Sequence, residues 1–172
     1  MALAPTVSRN PRSLETFDGK IVFPLLANAV MNVGDIAVWD TASNLGVRTP
    51  TTQADMANYI GVAEQQNPVA SLGDQVTSML LMRNGTAWFF ATPGDAYVPL
   101  GPVFFNEAIS VQTVTSNTNA GARTKPVGFY LPGQQSILRG GAGNLNVTGV
   151  AGLLIQVWLT PSYPVNLTAE VI

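Results

Sequence analysis

Three Gly-Asp pairs, Gly34-Asp35, Gly73-Asp74 and Gly94-Asp95, each stand in front of residues that favour β-structure. Glycine supplies positive φ at a turn and aspartate hydrogen-bonds the backbone just beyond it, so each pair reads as a turn feeding a strand. The pairs lie 39 and then 21 residues apart, which rules out a solenoid period. Between them run apolar pieces of strand length, punctuated by 16 glycines and 12 prolines, with no convincing amphipathic helix. A chain written this way has to build its core from short strands. The expectation is an all-β fold, a small β-barrel or β-sandwich with few or no helices.

Taken in order, residues 20–26 (KIVFPLL) form a first strand, held to an edge or first-residue position by Pro24. Residues 36–40 form the second. Residues 41–58 make a loop in which 53–58 suit a single helical turn, and 59–63 (YIGVA) the third strand. Residues 74–82 (DQVTSMLLM) and 86–91 (TAWFFA) flank Arg83-Asn84-Gly85, and Asn-Gly between β-rich runs predicts a hairpin. Residues 97–105, broken by Pro99, Gly101 and Pro102, predict a bent edge segment. Residues 109–115 alternate, with Ile109, Val111 and Thr113 on one face. Residues 127–131 form a further strand, and the glycine-rich 134–149 a mobile loop or insertion. Residues 150–159 (VAGLLIQVWL) close the core through Leu153, Ile155, Val157 and Leu159. Trp39, Trp88 and Trp158, each set in apolar strand sequence, are expected in the core.

The order of these phrases resembles the small capsid decoration, or cement, proteins of tailed bacteriophages. The pattern is G-D-x-V-x-W/Y-D, a polar loop, I-G-V-A, then a further G-D-x-V. Here it is carried by Gly34, Asp35, Val38, Trp39 and Asp40, then Ile60, Gly61, Val62 and Ala63, then Gly73, Asp74 and Val76. The resemblance spans roughly residues 28–159. It implies a structural virion protein, made in the host cytoplasm and placed on the capsid exterior, where it binds the major capsid protein and stabilises the expanded shell by bridging coat subunits. It also implies a homo-oligomer, with a trimer favoured. The expected organisation is an extended N-terminal arm (1–19), one β domain (20–160) and a C-terminal tail (161–172).

Composition narrows the alternatives. Only 10% of the 172 residues are charged, against about a quarter in an average domain. Two lysines and six dispersed arginines, at net charge −2, are a poor electrostatic footprint for nucleic acid. No run is long and apolar enough for a membrane helix. Cysteine and histidine are both absent, which removes Ser-His-Asp and Cys-His catalysis, disulfides and most transition-metal sites. The acids are scattered singly, and Asp35, Asp74 and Asp95 suit turn hydrogen bonding. Gly140-Gly141-Ala142-Gly143 lacks the Lys-Ser/Thr ending of a phosphate loop. The reading is therefore a non-enzyme without a cofactor, metal or small-molecule substrate.

No charge occurs between Arg139 and Glu170. Such a stretch is poorly protected against self-association; it suits either a surface covered by another subunit or a core strand between polar loops. The residues expected to meet the capsid or a neighbouring subunit are Arg9, Arg12 and Leu14 in the arm, with Gly140, Asn144, Asn146 and Thr148 in the neutral loop. A second class of function is a carbohydrate- or receptor-binding β module of a virion. That class calls for exposed aromatics with convergent polar groups.

Overall fold

The computed structural model describes residues 20–26, 29–64, 78–117, 123, 125–132 and 145–160. Twelve strands and one short 3-10 helix occupy them. Strands β1 (Lys20–Pro24), β2 (Ile36–Trp39), β3 (Val47–Arg48), β4 (Tyr59–Ala63) and β5 (Ser78–Met82) form one antiparallel sheet in the order β1-β5-β4-β2-β3. Its two ends approach each other: Leu25 bridges Val47, and the Leu26 N–H donates to the Val47 carbonyl at 3.0 Å. Pro24 thus stands on an edge strand, as its missing N–H requires.

A closed barrel follows, in the order β10-β12-β6-β9-β8. It comprises β6 (Gly85–Ala91), β8 (Pro102–Asn106), β9 (Ser110–Thr115), β10 (Gly128–Leu131) and β12 (Leu154–Leu159). All its pairings are antiparallel except β6 with β9, which run parallel. Strands β7 (Ala96–Tyr97) and β11 (Val147–Thr148) form a separate two-stranded ribbon. The all-β expectation holds.

Packing explains why β2 and β4 read as continuous apolar runs. On one side Ile36, Val38, Tyr59 and Val62 join the barrel residues Phe89, Phe105, Val114, Tyr130, Ile155 and Val157 in a single buried cluster. On the other side Ala37 and Ile60 join Met31, Val47, Ala63 and Leu81 in a second, smaller cluster, flanked by Phe23, Leu25 and Trp39. The two strands are therefore buried on both faces, and burial on both sides removes alternation. The helix, Gln53–Asn58, plugs one end: Met56 enters the larger cluster, Gln53 Nε2 donates to the Phe105 carbonyl at 2.7 Å, and Lys125 Nζ to the Ala57 carbonyl at 2.9 Å.

Two of the three Gly-Asp turns are described, and both glycines take positive φ, +91° at Gly34 and +85° at Gly94. Asp35 accepts from the Asn32 N–H at 2.8 Å, closing its own turn. Asp95 instead reaches β9, accepting from the Thr115 hydroxyl and from the Ser116 N–H at 3.1 Å. Gly73-Asp74 lies outside the described residues.

Several expectations are corrected. Strands β5 and β6 make no hairpin across Asn84-Gly85. Strand β5 pairs with β1 and β4, while β6 pairs with β12 and β9. Gly85, at φ +119°, turns the chain from one sheet into the other, and buried Arg83 pins that corner by donating to the Ile60 carbonyl at 3.3 Å. Residues 97–105 are no bent edge: after a turn at Pro99-Leu100, β8 pairs on both sides within the barrel, and Pro102 stands at its first residue, where its missing N–H is tolerated. In β9 Thr113 is buried and Val111 packs against the core as expected, but Val114 is buried too and Ile109 stands exposed ahead of the strand. The predicted loop 41–58 contains β3 as well as the helix, and the predicted loop 134–149 ends in β11. Residues 150–159 behave as expected, with Ile155, Val157 and Leu159 buried and Leu153 packed against the same cluster.

Candidate interaction face

A barrel strand has one face inside and one outside, and β6 and β12 are apolar on both. Phe89 and Ala91 of β6, with Ile155, Val157 and Leu159 of β12, point inward. The alternate residues point out. Trp88 is 56% exposed, Trp158 50%, Leu154 47% and Phe90 39%. Two of the three tryptophans are thus surface residues, against the expectation of a buried set. Trp39 is half-buried, with its ring edge-on to Phe23 at 6.4 Å and its indole N–H donating to Asn44 Oδ1.

Strand register makes these side chains neighbours. Thr86, Trp158, Phe129 and Pro102 stand opposite one another across β6, β12, β10 and β8. One step along, Trp88, Gln156 and Leu131 form the next row, followed by Phe90 opposite Leu154. Directly opposed residues on one sheet face lie about 4.5–5.5 Å apart at Cβ, so the three rows are a continuous surface. None of these nine residues is charged. The polar groups within them are Thr86 and Gln156, joined by a hydrogen bond from Gln156 Nε2 to Thr86 Oγ1 at 3.1 Å. Contiguous exposed apolar surface of this kind marks an interaction site, and aromatic enrichment with depletion of charge is the composition of an interface core.

Among the described residues, charged groups serve structure elsewhere. Arg48 donates from Nε to Asp40 Oδ1 at 2.9 Å and from Nη2 to Asp55 Oδ1 at 2.8 Å. The Arg48 bond, helped by the Ser43 hydroxyl and N–H, holds the Asp40 carboxyl down at about 2. Burial opposes ionisation of Asp55, but Arg48 and the Thr51 and Thr52 N–H groups outweigh it and hold this carboxyl low as well. These three residues fix the loop from β2 to the helix. Tyr97 is likewise structural: its hydroxyl donates to the Val114 carbonyl at 2.7 Å, and burial pushes the phenol up to about 12. Among the described residues no group of three carboxylates or other metal-binding side chains converges.

Of the residues expected to make contacts, Arg9, Arg12, Leu14, Gly140 and Asn144 lie outside the described residues. Asn146 and Thr148 are exposed. Thr148 pairs with Ala96 in the β7–β11 ribbon and not in the barrel strands that bear Trp88 and Trp158. Sequence reasoning therefore missed the aromatic face, although its signal was present. Both alternate sets of TAWFFA and of LLIQVWL are rich in large apolar residues, and a barrel can bury only one set. Among known proteins, the chain matches no family model and no curated protein.

Proposed function

We propose that this chain is a structural binding protein: a head-decoration protein that attaches to the outer surface of a tailed-phage capsid and stabilises the expanded shell by bridging major capsid protein subunits. The observation that supports it best is the uncharged aromatic face on a closed barrel, a surface suited to holding another protein. The order of the Gly-Asp and I-G-V-A phrases adds the virion context. The residues of these phrases serve as scaffold: Asp35 closes a turn, Asp40 anchors Arg48, and Ile60 to Ala63 fill the doubly buried β4. A bridging protein gains from multivalency, since many modest contacts together resist rupture of the shell. The test is co-sedimentation of the purified protein with undecorated expanded and unexpanded shells. Saturable binding to expanded shells is the expected result; binding to neither ends this proposal.

A second reading, a carbohydrate-binding module, gains from one observation. Trp88 and Trp158 are exposed, with the Gln156 amide and Thr86 hydroxyl beside them, and aromatic faces with adjacent hydrogen-bonding groups suit neutral sugars. A glycan array separates the two, because specific glycan binding without shell binding favours the second.

A further inference from the structure

We propose that Asn84 is a site of spontaneous covalent modification: the Gly85 nitrogen closes on the Asn84 side chain, and the asparagine is converted to a mixture of aspartyl and isoaspartyl residues. The inference rests on the corner between the five-stranded sheet and the barrel, and does not depend on shell binding.

Three observations single out this residue. The first is contact. The Gly85 N–H donates to Asn84 Oδ1 at 3.0 Å. The side-chain amide is thus folded back onto the nitrogen of the next peptide, and reacting groups held side by side gain most from proximity. Asn84 is also exposed, so hydroxide and water reach the pair.

The second is room. Gly85 has no side chain to shield its nitrogen. Apart from its chain neighbours, only Met82 Sδ, at 3.6 Å, lies within 4 Å of where a Cβ on Gly85 would stand.

The third is contrast. Asn84-Gly85 is the only Asn-Gly pair in the chain; every other asparagine precedes a residue that carries a side chain. Asn44 and Asn106 also commit their oxygens elsewhere. Asn44 Oδ1 accepts from the Trp39 indole N–H, and Asn106 Oδ1 from the Ala108 N–H two residues on.

The reaction balances without an oxidant, a metal or a second protein. Hydroxide removes the proton from Gly85 N, whose electron pair then forms a bond to Asn84 Cγ. The Cγ–Nδ2 bond breaks, and the side-chain nitrogen takes up a proton and leaves as ammonia. A succinimide ring remains, and water opens it at either carbonyl. Attack at the side-chain carbonyl breaks the new bond and gives an aspartyl residue. Attack at the main-chain carbonyl breaks the original peptide bond and gives an isoaspartyl residue, whose main chain runs through the former side chain and gains a methylene. Either product adds a negative charge to a chain of net charge −2. The isoaspartyl product also lengthens the corner that Met82, paired with Val62, and Gly85, paired with Leu159, hold from its two sides.

The experiment is incubation of the full chain at physiological temperature, at neutral and at mildly alkaline pH, followed by peptide mapping with mass spectrometry. Asn84→Ala, at an exposed position, is incubated in parallel. The expected result is the mass gain of an amide-to-acid exchange at position 84, roughly tenfold or more faster than at Asn44. Its rate rises with hydroxide, both isomeric products form, and isoelectric focusing shows an acidic form that Asn84→Ala lacks. The folded chain converts at least as fast as the chain unfolded in urea. Conversion at position 84 no faster than at Asn44 overturns the proposal, as does an equal acidic form in Asn84→Ala. An aspartyl product alone overturns it too, because direct hydrolysis by water forms that product without the ring. So does conversion that is tenfold slower folded than unfolded, which would mean that the corner shields Asn84.

Discussion

The Gln112 side-chain amide, on β9 of the barrel, donates to Asp35 Oδ1 at 2.7 Å, joining two residues 77 positions apart. The same nitrogen also donates to the Val33 carbonyl at 3.2 Å. The Gly-Asp turn before β2 is therefore a tie between the barrel and the five-stranded sheet as well as a local turn. Asp35 is 3% exposed, so removing its carboxylate takes one acceptor from the Asn32 N–H and the nearer of two acceptors from the Gln112 amide. Asp35→Ala is expected to cost about 2–3 kcal/mol and Gln112→Ala about 1 kcal/mol. A double-mutant cycle by urea unfolding should return a coupling of about 0.5 kcal/mol or more; additive effects would show that the tie contributes nothing.

Arg48 sets the acid sensitivity. Asp40 and Asp55 both titrate lower in the folded chain than in the unfolded one. Their contribution to stability is thus complete above the ordinary carboxylate range, about pH 4. It is lost as pH falls toward the folded value of Asp40, about 2. Arg48→Gln is expected to lower stability at neutral pH by about 2 kcal/mol and to flatten the decline of Tm below pH 4. An unchanged acid limb in the variant would place the sensitivity elsewhere.

The corner at Asn84-Gly85 needs glycine for its backbone and not for a hairpin register. At φ +119° a side chain is strained, and Gly85→Ala should destabilise by about 1–3 kcal/mol. Asn84→Ala, at an exposed position, is expected to stay within about 0.5 kcal/mol. Chemical denaturation of the two variants checks the contrast.

Adjacent aromatics on β6 should behave oppositely. Phe89 is fully buried and Trp88 is 56% exposed. Phe89→Ala is expected to cost about 3–5 kcal/mol. Trp88→Ala should fall within about 0.5 kcal/mol. A large loss from Trp88→Ala would mean that this side chain is part of the core.

Much of the fold was legible. The turn glycines, the five residues of β4, the single helical turn at 53–58 and the inward set Ile155, Val157 and Leu159 follow from local chemistry and periodicity. What escaped was decided by pairing at a distance. Asn84-Gly85 has the local signature of a hairpin, yet Val62 claims Met82 on one side of the corner and Leu159 claims Gly85 on the other. Nothing local to residues 83–85 encodes that choice. The interaction face escaped for a related reason. Embedding in apolar sequence makes a tryptophan a core candidate, but which of two apolar alternations faces inward depends on the strand's neighbours in the closed barrel. Charge sparsity in residues 140–169 suited either a covered surface or a core strand, and β12 within it supplies a core strand that also carries exposed Leu154 and Trp158.

Strand β12 is the last of the described strands in the chain, yet it lies between β10 and β6 in the barrel. Until it inserts, β6 and β10 each present an unpaired edge, and the inward faces of Phe89 and Tyr130 lack the neighbours that bury them. During synthesis the barrel therefore stays open while everything before it is already available to fold. Closure waits on a long-range pairing whose loop entropy has to be overcome at once. Barrel closure should be the slow step of folding, and a nascent chain halted before residue 154 should expose an edge that invites strand exchange with its neighbours.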